Sequence, residues 1–207
     1  MASAIIHICV AKKVNEYLKF REKELFLGAI APDISKQINQ SKVKSHFLSE
    51  IDDVPDIDLF MHKYKNKIKT PFDYGYLIHL YTDKIWYSNV DKYFLDEVDK
   101  DFTKTEEYKK FVDSVRNLIY GDYTNMNIRL IDKYNLDLTL FYEEFEIPET
   151  CIKEIPIKKL NILIDQMSII IANSHNRRNR VFDNSRVNKF IDDSSKKIIK
   201  FLEENNL

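Results

Sequence analysis

The sequence PFDYGYLIHLYTDKIWY, at residues 71–87, has the pattern of a long amphipathic helix. Its leading proline and the aspartate two positions later are favourable at a helix start. Apolar and aromatic residues then recur on one side at helical spacing, together with His79 and Asp83. We therefore predict a helix from Pro71 to about Val98.

The rest of the chain has the same character. Only three glycines and five prolines occur in 207 residues, and apolar residues recur at steps of three and four. Residues 34–53 lack this period and predict a loop with one helical turn around His46. Neither an internal repeat nor a break in composition marks a second domain, so residues 1–207 predict one all-α domain of roughly eight helices. The other predicted helices are 4–18, 22–30, 55–68, 106–120, 122–134, 136–145, 157–176 and 187–205.

Composition excludes several function classes. Lys and Arg number 32 against 33 Asp and Glu, a net charge of −1, so nothing in the overall charge indicates binding to nucleic acid. The three glycines are too far apart for a dinucleotide fingerprint, a P-loop or a nucleophile elbow. Cys9 and Cys151 lack C-x-x-C spacing, which predicts reduced thiols and no disulfide scaffold.

Targeting signals are not evident in the sequence. The first residues lack the cationic and apolar regions of a secretory signal. The longest apolar stretch, residues 160–172, is shorter than the ~20 residues that span a bilayer. We expect a cytoplasmic protein without a transmembrane segment.

Five side chains in the first 83 residues are chemically suggestive: His7, Asp33, His46, His79 and Asp83. His79 and Asp83 are one helical turn apart in an apolar and aromatic setting, so both could reach one metal ion. The alternative is a hydrogen bond that orients the imidazole. His7 lies on the inner stripe of the first helix, where a single histidine is usually a hydrogen-bonded core residue. Asp33 lies on a turn and His46 in a loop.

Three blocks of sequence resemble the zinc-dependent phospholipase C family. They are LGAIAPD at 27–33, KSHF at 44–47 and GYLIHLYTD at 75–83, in the family's order and preceded by an early histidine. The family is all-helical and related to zinc nucleases that cut single strands. The resemblance covers about the first 90 residues. It implies that Asp33, His46, His79 and Asp83 hold one zinc ion, and that Asp83 can bridge to a second ion bound by His7.

The sequence also departs from that family. Secreted members use an N-terminal tryptophan as a ligand, whereas this chain begins with Met1. They carry further histidine and glutamate ligands soon after the second aspartate, but here the next histidine is His175. The resemblance therefore implies one or two zinc ions rather than three, as in a cytosolic bacterial member with a reduced ligand set.

These observations predict a metal-dependent phosphoester hydrolase in which metal-activated water attacks a phosphodiester or a phospholipid head group. Asp33, His79 and Asp83 are the expected catalytic residues. Asp56 and Asp58 are candidates for a general base but more typical of helix caps. The alternatives are a non-catalytic helical protein with a vestigial or structural metal site, and a module that binds a partner through the acidic segment 142–149.

Two other features have ordinary explanations in the sequence. The basic segment 173–180 can clamp a phosphate, but cations also stabilise a helix C-terminus, and that explanation is favoured here. His62 lies among charged residues and is expected at the surface.

Overall fold

The computed structural model describes residues 2–50, 54–94, 106–144 and 146–207. Across these ranges the structure is helical and contains no strand, which confirms the predicted all-α class. None of the helices in these ranges is long and apolar enough to cross a membrane. The helices are α1 (Ala4–Leu18), α2 (Glu22–Ile30), α3 (Ile34–Gln37), α4 (Lys42–Ser45), α5 (Ile57–Tyr64), α6 (Pro71–Phe94), α7 (Glu106–Tyr134), α8 (Leu160–Ala172) and α9 (Asn184–Glu204). Short 3-10 turns occupy Ala31–Asp33, Thr139–Phe141 and Ile157–Lys159.

Side-chain caps begin several of these helices. The Ser3 hydroxyl accepts a hydrogen bond from the Ile6 amide at the start of α1. Asp56 accepts from the Leu59 amide, 2.8 Å away, at the start of α5. Each cap satisfies an amide that has no partner within its own helix, and this is why the chain turns helical at these positions.

The centre of the fold is the contact between α2 and α6, in which two glycines let the backbones touch. A Cβ atom at Gly28 would overlap the carbonyl group of Phe72, and one at Gly75 would overlap the carbonyl oxygen of Leu25. Only glycine permits so close an approach at these two positions. The helices α1 and α9 pack around this pair and complete an apolar core.

Most predicted boundaries agree with the structure, but some helices differ. The predicted break at Gly121 is wrong, because α7 is continuous there and a lone glycine is tolerated inside a helix. The predicted helix 136–145 is also wrong, because the described residues 136–144 form only the turn Thr139–Phe141. The loop predicted at 34–53 contains α3 as well as the expected turn before His46. The predicted end of α6 at Val98 lies outside the described residues.

The predicted helix 157–176 is shorter than expected. It opens with a 3-10 turn, and α8 ends at Ala172. The basic residues at 177–180 therefore lie beyond the helix, and α8 has no basic residue in its last turn.

Candidate metal centre

Four separate elements of the fold bring the five suggestive side chains together. His7 comes from α1, and His79 and Asp83 come from successive turns of α6. Asp33 ends the turn that follows α2, and His46 is the residue immediately after α4. The three histidines and Asp83 are fully or almost fully buried.

The ligand atoms of these residues form two overlapping groups. His7, His79 and Asp83 make one group, and Asp33, His46 and His79 make the other, with the atoms of each group within 4.8 Å of one another. Asp83 faces both groups, because its Oδ1 lies 3.4 Å from Nε2 of His7 and its Oδ2 lies 3.8 Å from Nε2 of His46. The same Oδ2 lies 3.6 Å from Nε2 of His79. His79 and Asp83 therefore have the positions from which two neighbouring cations could share ligands.

The spacing of the donor atoms matches a metal site. Tetrahedral nitrogen ligands about 2.0–2.1 Å from a zinc ion lie about 3.3 Å from each other. Here Nε2 of His79 is 3.2 Å from Nε2 of His46. Nε2 of His46 is in turn 3.6 Å from Oδ1 of Asp33 and 3.8 Å from Oδ2 of Asp83. The cluster is therefore close to the dimensions of a zinc coordination shell.

Hydrogen bonds on the outer side of the cluster orient two of the imidazoles. Nδ1 of His79 lies 2.7 Å from the carbonyl oxygen of Ala29, which can only accept, so this nitrogen carries a proton. The Ser45 hydroxyl donates to the carbonyl oxygen of Lys42 and is left to accept from Nδ1 of His46. In the neutral rings both Nε2 atoms then present lone pairs to each other at 3.2 Å. That arrangement is repulsive unless a proton or a metal cation lies between them.

The imidazole of His7 is the least well paired side chain of the cluster in the described part of the chain. Its ring stacks on His79 with centroids 3.8 Å apart, and neither ring nitrogen has a hydrogen-bond partner among the described residues. Oδ2 of Asp83 likewise lacks one. Buried polar atoms are almost always paired, so these orphaned atoms fit a site that closes around a cation.

The pKa values of the two carboxyl groups follow from their neighbours. Burial opposes ionisation of Asp33, but its interaction with His46 and the charge of His79 outweigh burial and lower the pKa to about 2. Burial also opposes ionisation of Asp83, and the adjacent His7 and His79 hold its pKa well below the usual range. Both groups are therefore carboxylates at neutral pH, the form that binds a metal.

The pKa values of His7 and His79 shift in opposite directions. Burial, with a further contribution from His79, lowers the pKa of His7 to about 4. Burial also disfavours the charged form of His79, but Asp83 outweighs it and the pKa is raised. His7 is thus a neutral ligand at pH 7, whereas a proton and a metal ion compete for Nε2 of His79.

Access to the cluster is from one side. The side chain of Asp33 is 18% exposed, whereas those of His7, His79 and Asp83 are not exposed at all. Asp33 is therefore the member that a molecule from solvent reaches first.

Three neighbours of the cluster could not be predicted from the sequence. The backbone amide of Ala2 donates to Oδ1 of Asp83 at 3.1 Å. The carbonyl group of Ala29 and the hydroxyl of Ser45 orient two histidines, as described above. For Ala29 and Ser45 the sequence offers only their position, inside the two blocks that contain Asp33 and His46.

The other candidate residues lie elsewhere. Asp56 caps α5, as the sequence predicted, and Asp58 and His62 are exposed on the same helix. Both cysteines are free thiols, as expected.

A comparison of the chain with family models, curated proteins and solved structures found no match.

Proposed function

We propose that the protein is a zinc-dependent phosphoester hydrolase that acts on a phosphodiester or a phospholipid head group. The observation that carries this proposal is the convergence of His7, Asp33, His46, His79 and Asp83 with donor atoms 3.2–3.8 Å apart. Nitrogen and carboxylate ligands of this kind suit zinc. The likeness of the surrounding blocks to the zinc-dependent phospholipase C family adds to this support. We place the protein in the cytoplasm of a bacterium.

The chain's own residues define how the site would work. Asp33, His46, His79 and Asp83 would hold one ion, and His7 with Asp83 would hold a second. A divalent cation bound there lowers the pKa of water and stabilises negative charge on a phosphoryl oxygen. Ala29 and Ser45 keep the Nε2 atoms of His79 and His46 directed at the site. Asp33, at the open side, would face the substrate.

Burial of the surrounding wall also has a role. Side chains around the cluster exclude water from all but the Asp33 side, so a bound cation would interact strongly with negative charge that develops on a phosphoryl group there. The same wall limits the substrate to a group that enters from the Asp33 side. This favours a terminal or head-group phosphoester over one in the middle of a long chain.

The proposal is tested first by metal content. Protein purified without chelator should contain one or two zinc ions per chain by elemental analysis. H79A and D83A should each lose most of that metal, because His79 belongs to both ligand groups and Asp83 lies close to histidines of both. H62A removes an exposed histidine from another helix and should retain it. Absence of metal from the wild type, or full retention in H79A and D83A, would refute the metal site.

Activity is tested on p-nitrophenyl phosphorylcholine with zinc-loaded protein. Hydrolysis should disappear on treatment with chelator, return on addition of zinc, and fall at least 100-fold in D83A. H62A should hydrolyse the substrate at the wild-type rate.

A structural ion without catalysis is the second candidate, and the burial of four of the five side chains favours it. In that case chelation lowers the melting temperature, and no phosphodiester is hydrolysed at any zinc concentration.

A further inference from the structure

A second site lies around the segment 176–184 that joins α8 to α9. Phe182 of this segment contacts Trp86, which follows Asp83 by three residues on α6. A cavity of about 580 Å³, within the usual size range of ligand pockets, opens there. We call it the arginine cleft, and it is lined by Arg129 of α7 and by residues 176–184. We propose that the arginine cleft binds the phosphate group of a small phosphorylated molecule.

The segment is held rigidly by two residues of α7. Asp122 is fully buried, and its carboxylate accepts hydrogen bonds from the backbone amides of Arg180, Val181 and Phe182 at 2.6–2.9 Å. Arg129, seven residues further along α7, holds the first part of the segment, residues 176–179. The wall of the cleft is thus set before any ligand arrives, which reduces the entropy cost of binding.

Arg129 makes three hydrogen bonds to residues 176–179. Its guanidinium donates to the side-chain oxygens of Asn176 and Asn179 and to the carbonyl oxygen of Arg177, at 2.7–2.9 Å. Its Nε is buried without a partner among the described residues. Arg129 is therefore a positioning residue whose charge adds to the cleft.

Three further arginines have no partner for their charge. In the described part of the chain, the guanidinium groups of Arg177, Arg178 and Arg180 make no ion pair or hydrogen bond, and all three residues are exposed. The single acid of the lining, Asp183, caps α9 by accepting from the Ser185 amide at 2.6 Å. Four arginines against one acid make this a strongly positive patch on a chain of net charge −1.

Helix stabilisation does not explain this charge. The favourable effect of a cation on a helix C-terminus fades within the last turn. Since α8 ends at Ala172, the three unpaired arginines lie five to eight residues beyond it. The sequence-based interpretation, in which these arginines stabilise a helix C-terminus, is therefore wrong. What lies beside the arginines is the start of α9, a helix of 21 residues whose amino-terminal end is already capped by Asp183.

The chemistry of the lining indicates the ligand. Planar guanidinium groups match the oxygens of a phosphate in pairs, and the Nδ2 groups of Asn176 and Asn184 can donate to hydroxyl groups next to it. The positive lining is confined to one cavity, which suits a small phosphorylated molecule better than a long polyanion such as nucleic acid.

The site is independent of the metal proposal, so it is tested on metal-free protein with inorganic pyrophosphate as the probe. Calorimetric titration should give saturable binding at one site per chain. The double variant R177Q/R178Q should weaken the affinity at least tenfold. The matched double variant K158Q/K159Q removes the same charge from an exposed turn elsewhere and should change the affinity less than twofold.

The role of Arg129 is separated from its charge by R129K, which keeps the charge but cannot make three planar hydrogen bonds. It should weaken binding nearly as much as R129Q. The only tryptophan, Trp86, has its ring centroid 5.8 Å from that of Phe182 in the cleft wall, so its fluorescence should respond to pyrophosphate. That response should be lost in R177Q/R178Q.

Three results would overturn the proposal. They are absence of pyrophosphate binding to the wild type, equal weakening in both double variants, and binding of a single-stranded oligonucleotide without binding of pyrophosphate. Zinc binding by the same preparations tests the metal centre separately, so failure of one site leaves the other standing.

Discussion

The candidate metal centre and the arginine cleft concentrate charge in opposite ways. In the candidate metal centre, carboxylates and imidazoles that are mostly buried face one another, with the ligand atoms of each group within 4.8 Å. In the cleft, exposed arginines line a cavity whose main chain is hydrogen-bonded to Asp122 and Arg129. Buried charged groups without a counter-ion destabilise the folded state, whereas exposed ones are solvated by water and do not. The exposed groups need a ligand only for function. The metal centre is therefore expected to affect folding, and the cleft to affect binding alone.

The largest effect is expected from a substitution that breaks the contact between α2 and α6 next to the candidate metal centre. In G75A, the new Cβ would overlap the backbone of α2, next to the carbonyl group that orients His79. We expect a loss of about 3 kcal/mol or more in unfolding free energy, together with loss of zinc binding. Urea unfolding and zinc titration measure the two effects.

The matched control is G121A, because nothing lies within 4 Å of a Cβ built at Gly121 in the middle of α7. That variant should gain about 0.5–1 kcal/mol from helix propensity. Equal stability of G75A and G121A would contradict the close contact between α2 and α6.

A change of pH should distinguish the two regions next. Burial lowers the pKa of His7 from 6.5 to about 4, so between these values the unfolded chain binds a proton there that the folded chain does not. Stability therefore falls as the pH is lowered through this window, by up to about 3 kcal/mol. The raised pKa of His79 contributes stability that is fully present below pH 6.5, and it does not change the sign.

The measurement compares wild type with H7L, both metal-free, by urea unfolding at several values from pH 6.5 to 4. The wild type should lose more stability than H7L across this range. Parallel curves would show that His7 titrates normally in the folded protein. Pyrophosphate binding to the cleft should change much less in the same range, because arginine does not titrate there.

The smallest expected effect concerns the main chain of the cleft. In D122N, one carboxylate that accepts from three backbone amides is replaced by an amide with a single acceptor oxygen. We expect a loss of about 1–2 kcal/mol in unfolding free energy and weaker pyrophosphate binding. Zinc content should be unchanged. Loss of zinc with retention of pyrophosphate binding would reverse the assignment of Asp122 to the cleft.

The two regions also differ in how far the sequence predicts them. His79 and Asp83 are four residues apart on a strongly patterned helix, so their shared face follows from helical geometry alone. The cleft depends on where α8 ends, and the sequence places that end four residues too late. An error of this size moves the arginines from a helix terminus to a segment outside any helix, and this changes their interpretation.

The sequence by itself determined the all-α class and most helix starts, and it singled out the five side chains of the candidate metal centre, because periodicity, caps and short motifs act over a few residues. Tertiary structure decided how those side chains meet, since their spacing depends on the glycine contact between α2 and α6, which joins residues 47 positions apart. It also decided the carbonyl that orients His79, the amide of Ala2 at Asp83 and the grip of α7 on the segment 176–184. Contacts at such separations depend on the packing of the whole chain, which no local pattern records.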